Sequence, residues 1–97
     1  MAERTEQPEE LTIPLRKPIT VGDQVYDVLE LREPTAGEFQ KMAKLADTDP
    51  TGALILLISQ VTGIAPPVIN KIGVRDMNTA GEFLMGFIQP GQPTQTS

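Results

Sequence analysis

The stretch Ile19-Thr20-Val21-Gly22-Asp23-Gln24-Val25-Tyr26 sets a β-prone triplet on each side of Gly22-Asp23. Glycine at the first central position suits a two-residue type II′ turn, since it reaches positive φ without a Cβ clash. The stretch therefore predicts a β-hairpin, and the Leu, Ile, Val, Thr and Tyr content of residues 11–32 extends it over that range. Pro14 and Pro18 lie in its first strand and bring no N–H to a ladder, so that strand has to be an edge or carry a bulge. A two-stranded ribbon is not stable alone. The rest of the chain must cover one of its faces.

Beyond the hairpin the sequence reads as helix. Thr35-Ala36-Gly37-Glu38 is a T-x-x-E capping box with Pro34 in front of it, and Phe39, Met42, Ala43 and Ala46 recur at helical spacing. Glu38, Lys41 and Lys44 point away from that stripe, as a solvated side would. A second helix starts at Asp49-Pro50, an N-cap aspartate followed by proline at the first helical position, and runs to Thr62 with Gly63 behind it. It is apolar nearly all round, with no charge between Pro50 and Asn70, which places it centrally or against a partner. Pro66 or Pro67 opens a short third helix through Ile72, closed by Gly73. Asp76 is read as the cap of a fourth, whose apolar face is Met77, Ala80, Phe83, Leu84, Phe87 and Ile88. Gly81 and Gly86 weaken that helix by about 1 kcal/mol each unless they let another backbone approach.

The expectation is an α+β fold, an N-terminal β-hairpin packed on a small bundle of three to four α-helices. One domain is expected over residues 11–88, with the hairpin at 11–32 and helices near 36–46, 50–62, 66–72 and 76–88. Residues 1–10 hold four Glu and one Arg, and residues 89–97 hold no apolar side chain that could pack, so both are expected to be disordered tails. The word Thr35-Ala36-Gly37-Glu38-Phe39 returns as Thr79-Ala80-Gly81-Glu82-Phe83. The residues after each copy do not match, so the echo is helix-start chemistry and not a duplication.

Composition removes most chemistry. The 97 residues include no Cys, no His and no Trp, so thiol nucleophiles, imidazole bases and thiolate or imidazole metal sites are excluded. Thirteen acidic residues against eight basic ones give a net charge of −5, which argues against duplex nucleic acid and anionic lipid. No G-x-x-x-x-G-K or G-x-G-x-x-G phosphate loop is present. Asp47 and Asp49 read as a loop acid and an N-cap, since a cation site needs further oxygen ligands nearby. Arg16-Lys17 and Arg32 read as a solvated edge that deters strand pairing. The longest apolar run, Ala53 to Ile58, falls far short of the ~20 residues a membrane span requires. The N-terminus carries neither a basic n-region nor an apolar h-region, so no signal peptide is expected. No enzyme, cofactor, nucleic-acid or membrane reading survives.

An imbalance remains. The second and fourth helices carry Leu54, Ile55, Leu56, Leu57, Ile58, Val61, Phe83, Leu84 and Phe87, a large apolar load for a domain of ~78 residues that buries only ~60–65% of its chain surface. Either these side chains fill the core, or some of them line an uncovered groove for a protein partner. On the second reading the candidate contacts are Met77, Phe83, Leu84 and Phe87 of the fourth helix with Leu54 and Ile58 of the second. Phe83 and Phe87, four apart, are the natural anchors, with Phe83 turned inward and Phe87 nearer the surface.

The order of features resembles a known family. Leu15-Arg16-Lys17-Pro18-Ile19, the hairpin through Gly22, Leu29-Glu30-Leu31-Arg32-Glu33-Pro34-Thr35-Ala36-Gly37, then Gly63-Ile64-Ala65-Pro66-Pro67-Val68-Ile69 and Val74-Arg75-Asp76-Met77 resemble the phage tail assembly chaperones of Mu-like and related contractile-tailed phages and prophages. The resemblance covers roughly residues 11–88. It implies a chaperone that binds the long tape measure protein and keeps it soluble until tube subunits polymerise around it. The tail tube protein and a second copy of the chain are further implied partners. It also implies action in the cytoplasm of the bacterial host and absence from the mature virion. Related genes are often read through a ribosomal frameshift that yields a longer form. A small adaptor, an antitoxin-like module or a minor structural tail subunit would share the same composition.

Overall fold

The computed structural model describes residues 10–87. Glu10, expected to end the N-terminal tail, instead opens the first strand opposite Arg32. The rest of both expected tails, and Ile88 of the fourth helix's apolar face, lie outside the described residues. Two strands, β1 (Glu10–Val21) and β2 (Gln24–Arg32), precede four helices: α1 (Ala36–Ala46), α2 (Pro50–Thr62), α3 (Pro66–Ile69) and α4 (Val74–Met85). The fold is α+β with an N-terminal hairpin.

The strands pair antiparallel through Gly22-Asp23, with Gly22 at φ 61°. Near the open end, Leu11 faces Leu31 and Ile13 faces Leu29; near the turn, Ile19 faces Tyr26. Between these blocks the four residues Leu15–Pro18 stand opposite Asp27 alone. This bulge is where Pro14 and Pro18 break the ladder, as their missing N–H groups require.

The bulge is tied down from outside the sheet. The Arg16 N–H, left without a strand partner, donates to Asp76 Oδ2 at 3.0 Å, and Arg16 Nε lies 3.7 Å from Asp76 Oδ1. That contact corrects the reading of α4. Asp76 is not its cap but its third residue, buried, with its carboxylate turned to β1; Gly73 is the N-cap and makes no side-chain cap bond. The helix ends at Met85, before Phe87. The second copy of the echo is likewise no helix start: Thr35 caps α1, whereas Thr79 lies inside α4 and donates its hydroxyl to the Arg75 carbonyl at 3.0 Å. The short helix α3 ends at Ile69, not Ile72. Beyond it the chain closes by tighter bonds, Lys71 N–H to Val68 O at 2.9 Å and Ile72 N–H to Ile69 O at 3.1 Å.

The apolar helix α2 is central, packing against α1, β2, α3 and α4, while α4 also lies on both strands. Leu29 and Leu31 from the hairpin, Leu57 and Ile58 from α2, Ile69 from α3 and Leu84 from α4 are fully buried where these elements meet. On α1, Met42 is buried and Phe39, Leu45 and Ala46 pack half-buried against the same core, whereas Ala43 is exposed.

Candidate functional site

Both α1 and α4 pack on α2, so they flank it, and a groove of about 500 Å³ opens between them. Its lining repeats at helical spacing: Met42 and Ala46 from α1, Pro50 and Leu54 from α2, and Asn78, Gly81, Glu82 and Met85 from α4. The floor is apolar, the polar groups sit on the α4 side, and Met85 stands 38% exposed at the rim. Gly81 is what brings α4 down onto α2. A Cβ built there would lie 3.0 Å from Leu54 Cδ2 and 3.3 Å from Leu54 Cδ1, so a larger residue would require the Leu54 side chain to give way.

The wall formed by α1 is held by a polar knot. Arg32, at the end of β2, donates from Nη1 to Glu38 Oε1 and from Nη2 to Glu38 Oε2, both at 2.8 Å. Its Nη2 also donates to the Gln60 carbonyl at 3.1 Å, in the last turn of α2, where carbonyls lack helical partners. Glu38 completes the capping box: its Oε1 accepts the Thr35 N–H at 2.9 Å, and its own N–H donates to Thr35 Oγ1 at 3.2 Å. The Arg32 guanidinium, above all through its hydrogen bonds, holds the Glu38 carboxyl down at about 2, against the opposing effect of partial burial. In return the carboxylate raises the pKa of Arg32. Glu38 thus does not face solvent as the stripe on α1 implied, and Arg32 does not join Arg16 and Lys17. One guanidinium fixes the end of the hairpin, the start of α1 and the end of α2 together.

The structure divides the six residues expected to contact a partner. Ile58 and Leu84 have no exposed surface, and Phe83 is 8% exposed; these three are core. Met77 and Phe87 are half-buried against that core, with Phe87 meeting Phe83 edge to face at a ring distance of 5.1 Å. Leu54 lines the groove. Met42, Ala46, Gly81 and Met85 line it too, although the apolar pattern of the sequence does not mark them as contacts. The groove face of α4 is the set Asn78, Gly81, Glu82 and Met85, about a third of a turn away from its more obviously apolar face. The one signal for it in the sequence is Gly81 with Met85 four residues on, a small residue and a flexible apolar one on a single face.

Asp49 caps α2, accepting the Gly52 N–H at 2.9 Å, and among the described residues no group of three or more His, Cys, Asp or Glu is placed to hold a metal ion. No helix among the described residues is long and apolar enough to cross a membrane. The family model described as phage tail assembly chaperone proteins, E, or 41 or 14 matches residues 12–89, most of the chain. No curated protein and no solved structure matches it.

Proposed function

Since the chain belongs to the phage tail assembly chaperone family, we propose that the groove between α1, α2 and α4 is where it holds its client, the tape measure protein. The observation that carries this reading is the apolar groove itself, floored by Met42, Ala46 and Leu54 and rimmed by Met85. A long amphipathic client offers apolar side chains at i, i+3, i+4 and i+7, which suits helix-in-groove docking. Methionine's unbranched, flexible side chain lets one groove accept client turns of differing sequence.

The groove also fits a client that has to be given up. About 500 Å³ accommodates only a few apolar side chains, each worth about 1.5–3 kcal/mol on burial. Association costs about 4–15 kcal/mol, so a single chaperone binds weakly and tail tube subunits can displace it. Several copies spaced along one client would supply the overall hold. The action is stoichiometric, takes place in the host cytoplasm during assembly, and leaves the protein out of the finished virion.

The test is co-expression with the cognate tape measure protein. Met85→Glu and Ala46→Glu place a carboxylate in the groove without opening the core, and Lys41→Glu on the exposed side of α1 serves as control. Variants with unchanged thermal melts should lose the soluble complex, while the control keeps it. If the folded groove variants co-purify with the client as fully as the parent protein does, the client does not sit there.

A further inference from the structure

At the opposite end of α4 lies a second concave site of different character. Arg16, Lys17, Lys71 and Arg75, half of the eight basic residues in the chain, line one pocket of about 430 Å³ together with Gly73, Val74 and Asp76. Three separate segments supply these cations: the β1 bulge, the turn after α3 and the first turn of α4. The bond from the Arg16 N–H to Asp76 is what brings the first to the last. Asp76 answers Arg16, while Lys17, Lys71 and Arg75 have no carboxylate partner among the described residues.

Stability does not account for this arrangement. Like charges gathered in one pocket repel. Cations at a helix N-terminus also oppose the macrodipole, whose positive end is there; Asp76 in the first turn of α4 offsets this in part, but its carboxylate is already engaged by Arg16. A bound anion would relieve both effects. Beside the cations, Val74 stands 66% exposed and gives the pocket an apolar lip.

We propose that this pocket binds a carboxylate-rich segment of a protein partner, with Glu or Asp side chains on Lys17, Lys71 and Arg75 and an apolar side chain against Val74. Charge complementarity favours such a partner. The pocket is a confined positive spot on a chain of net charge −5. A nucleic acid needs a basic track along successive phosphates, and among the described residues the other cations are Arg32, engaged by Glu38, and Lys41 and Lys44 on the exposed side of α1. The apolar lip suits a peptide better than a phosphate chain. This site is separate from the groove and does not depend on what the groove holds.

The proposal is tested by fluorescence anisotropy on the full chain with a short labelled peptide of alternating Glu and Leu. A Gln-Leu peptide of the same length and a short single-stranded RNA are the comparison probes. Lys71→Glu/Arg75→Glu should weaken binding of the Glu-Leu peptide at least about tenfold, and added salt should weaken it further. Lys41→Glu/Lys44→Glu, with the same change of net charge, should leave it within about twofold. Lys17→Gln, a milder change at an exposed position, should weaken it several-fold and is read if the double variant fails to melt cooperatively. Equal losses in the two double variants, equal binding of the Gln-Leu peptide, tighter binding of RNA, or no binding of the Glu-Leu peptide would each overturn the proposal.

Discussion

Replacing Glu38 with glutamine keeps the size and hydrogen-bonding reach of the side chain and removes its charge. Glutamine's oxygen can still accept the Thr35 N–H of the capping box, but its NH2 cannot accept from Arg32. The variant therefore removes the charge together with one of the two Arg32–Glu38 hydrogen bonds. The Glu38 carboxyl is held at about 2 against an ordinary 4.5, and at 1.36 kcal/mol per unit that lowering would correspond to roughly 3 kcal/mol. Water screens the pair, since the Arg32 side chain is 42% exposed and that of Glu38 20%. About 1–2 kcal/mol is therefore the expected contribution near neutral pH. The sign is set by the direction of the shift. A carboxyl whose pKa is depressed by folding stabilises the native state above its unfolded pKa, and that stabilisation is lost as pH falls through the folded one. Urea melts of parent and Glu38→Gln should then differ by about 1–2 kcal/mol at pH 7 and pH 6. The gap should begin to close below pH 4.5 and be more than half gone by pH 3. High salt should shrink it at neutral pH as well. A gap independent of pH would mean that the loss lies in packing or capping. A gap under about 0.3 kcal/mol at pH 7 would mean that the ion pair contributes nothing measurable.

The two aromatic residues near the end of α4 should behave unequally in the same melts. Phe83→Ala opens a cavity in the core and should cost about 3–5 kcal/mol, whereas Phe87→Ala removes a half-buried ring and one edge-to-face contact and should cost about 1–2 kcal/mol; equal losses would contradict the burial of the two rings. Asp76→Ala should cost about 1.5–3 kcal/mol by leaving the Arg16 N–H without its acceptor, and Asp76→Asn, which keeps an acceptor there, should recover at least half of that, with an equal loss in both variants counting against the bond.

The elements of this fold are announced by local chemistry, and where that chemistry is local the reading is secure. Gly22-Asp23 makes a turn whatever surrounds it, and Thr35 with Glu38 closes a capping box within a single helical turn. Asp76 shows the limit. An aspartate three residues after a glycine and just before an apolar run carries every mark of an N-cap. Its side chain is instead spent on a strand 60 residues earlier, and α4 starts without a side-chain cap. The demand came from the bulge: Pro14 and Pro18 disrupt pairing, disrupted pairing strands the Arg16 N–H, and a half-buried donor needs an acceptor. Neither proline signals α4, and nothing near Asp76 signals β1.

The candidate site was less legible for a related reason. Amphipathic patterning identifies the most apolar face of a helix, and in a small domain that face is consumed by the core, as Phe83, Leu84 and Ile58 are. On α4 the groove therefore lies on a different face, Asn78, Gly81, Glu82 and Met85, while on α1 it takes Met42 and Ala46 of the apolar stripe. Its lining is ordinary in sequence: two methionines, an alanine, a proline, a leucine, a glycine, an asparagine and a glutamate drawn from three helices. What turns these residues into a groove is the spacing between α1 and α4. Arg32 sets it on one side by locking α1 to the end of α2, and Gly81 sets it on the other by seating α4 on Leu54. The groove is therefore a property of two tertiary restraints and not of a motif. Changes at Glu38, which does not line the groove, or at Gly81, where an added Cβ would press on Leu54, are the ones that would reshape it.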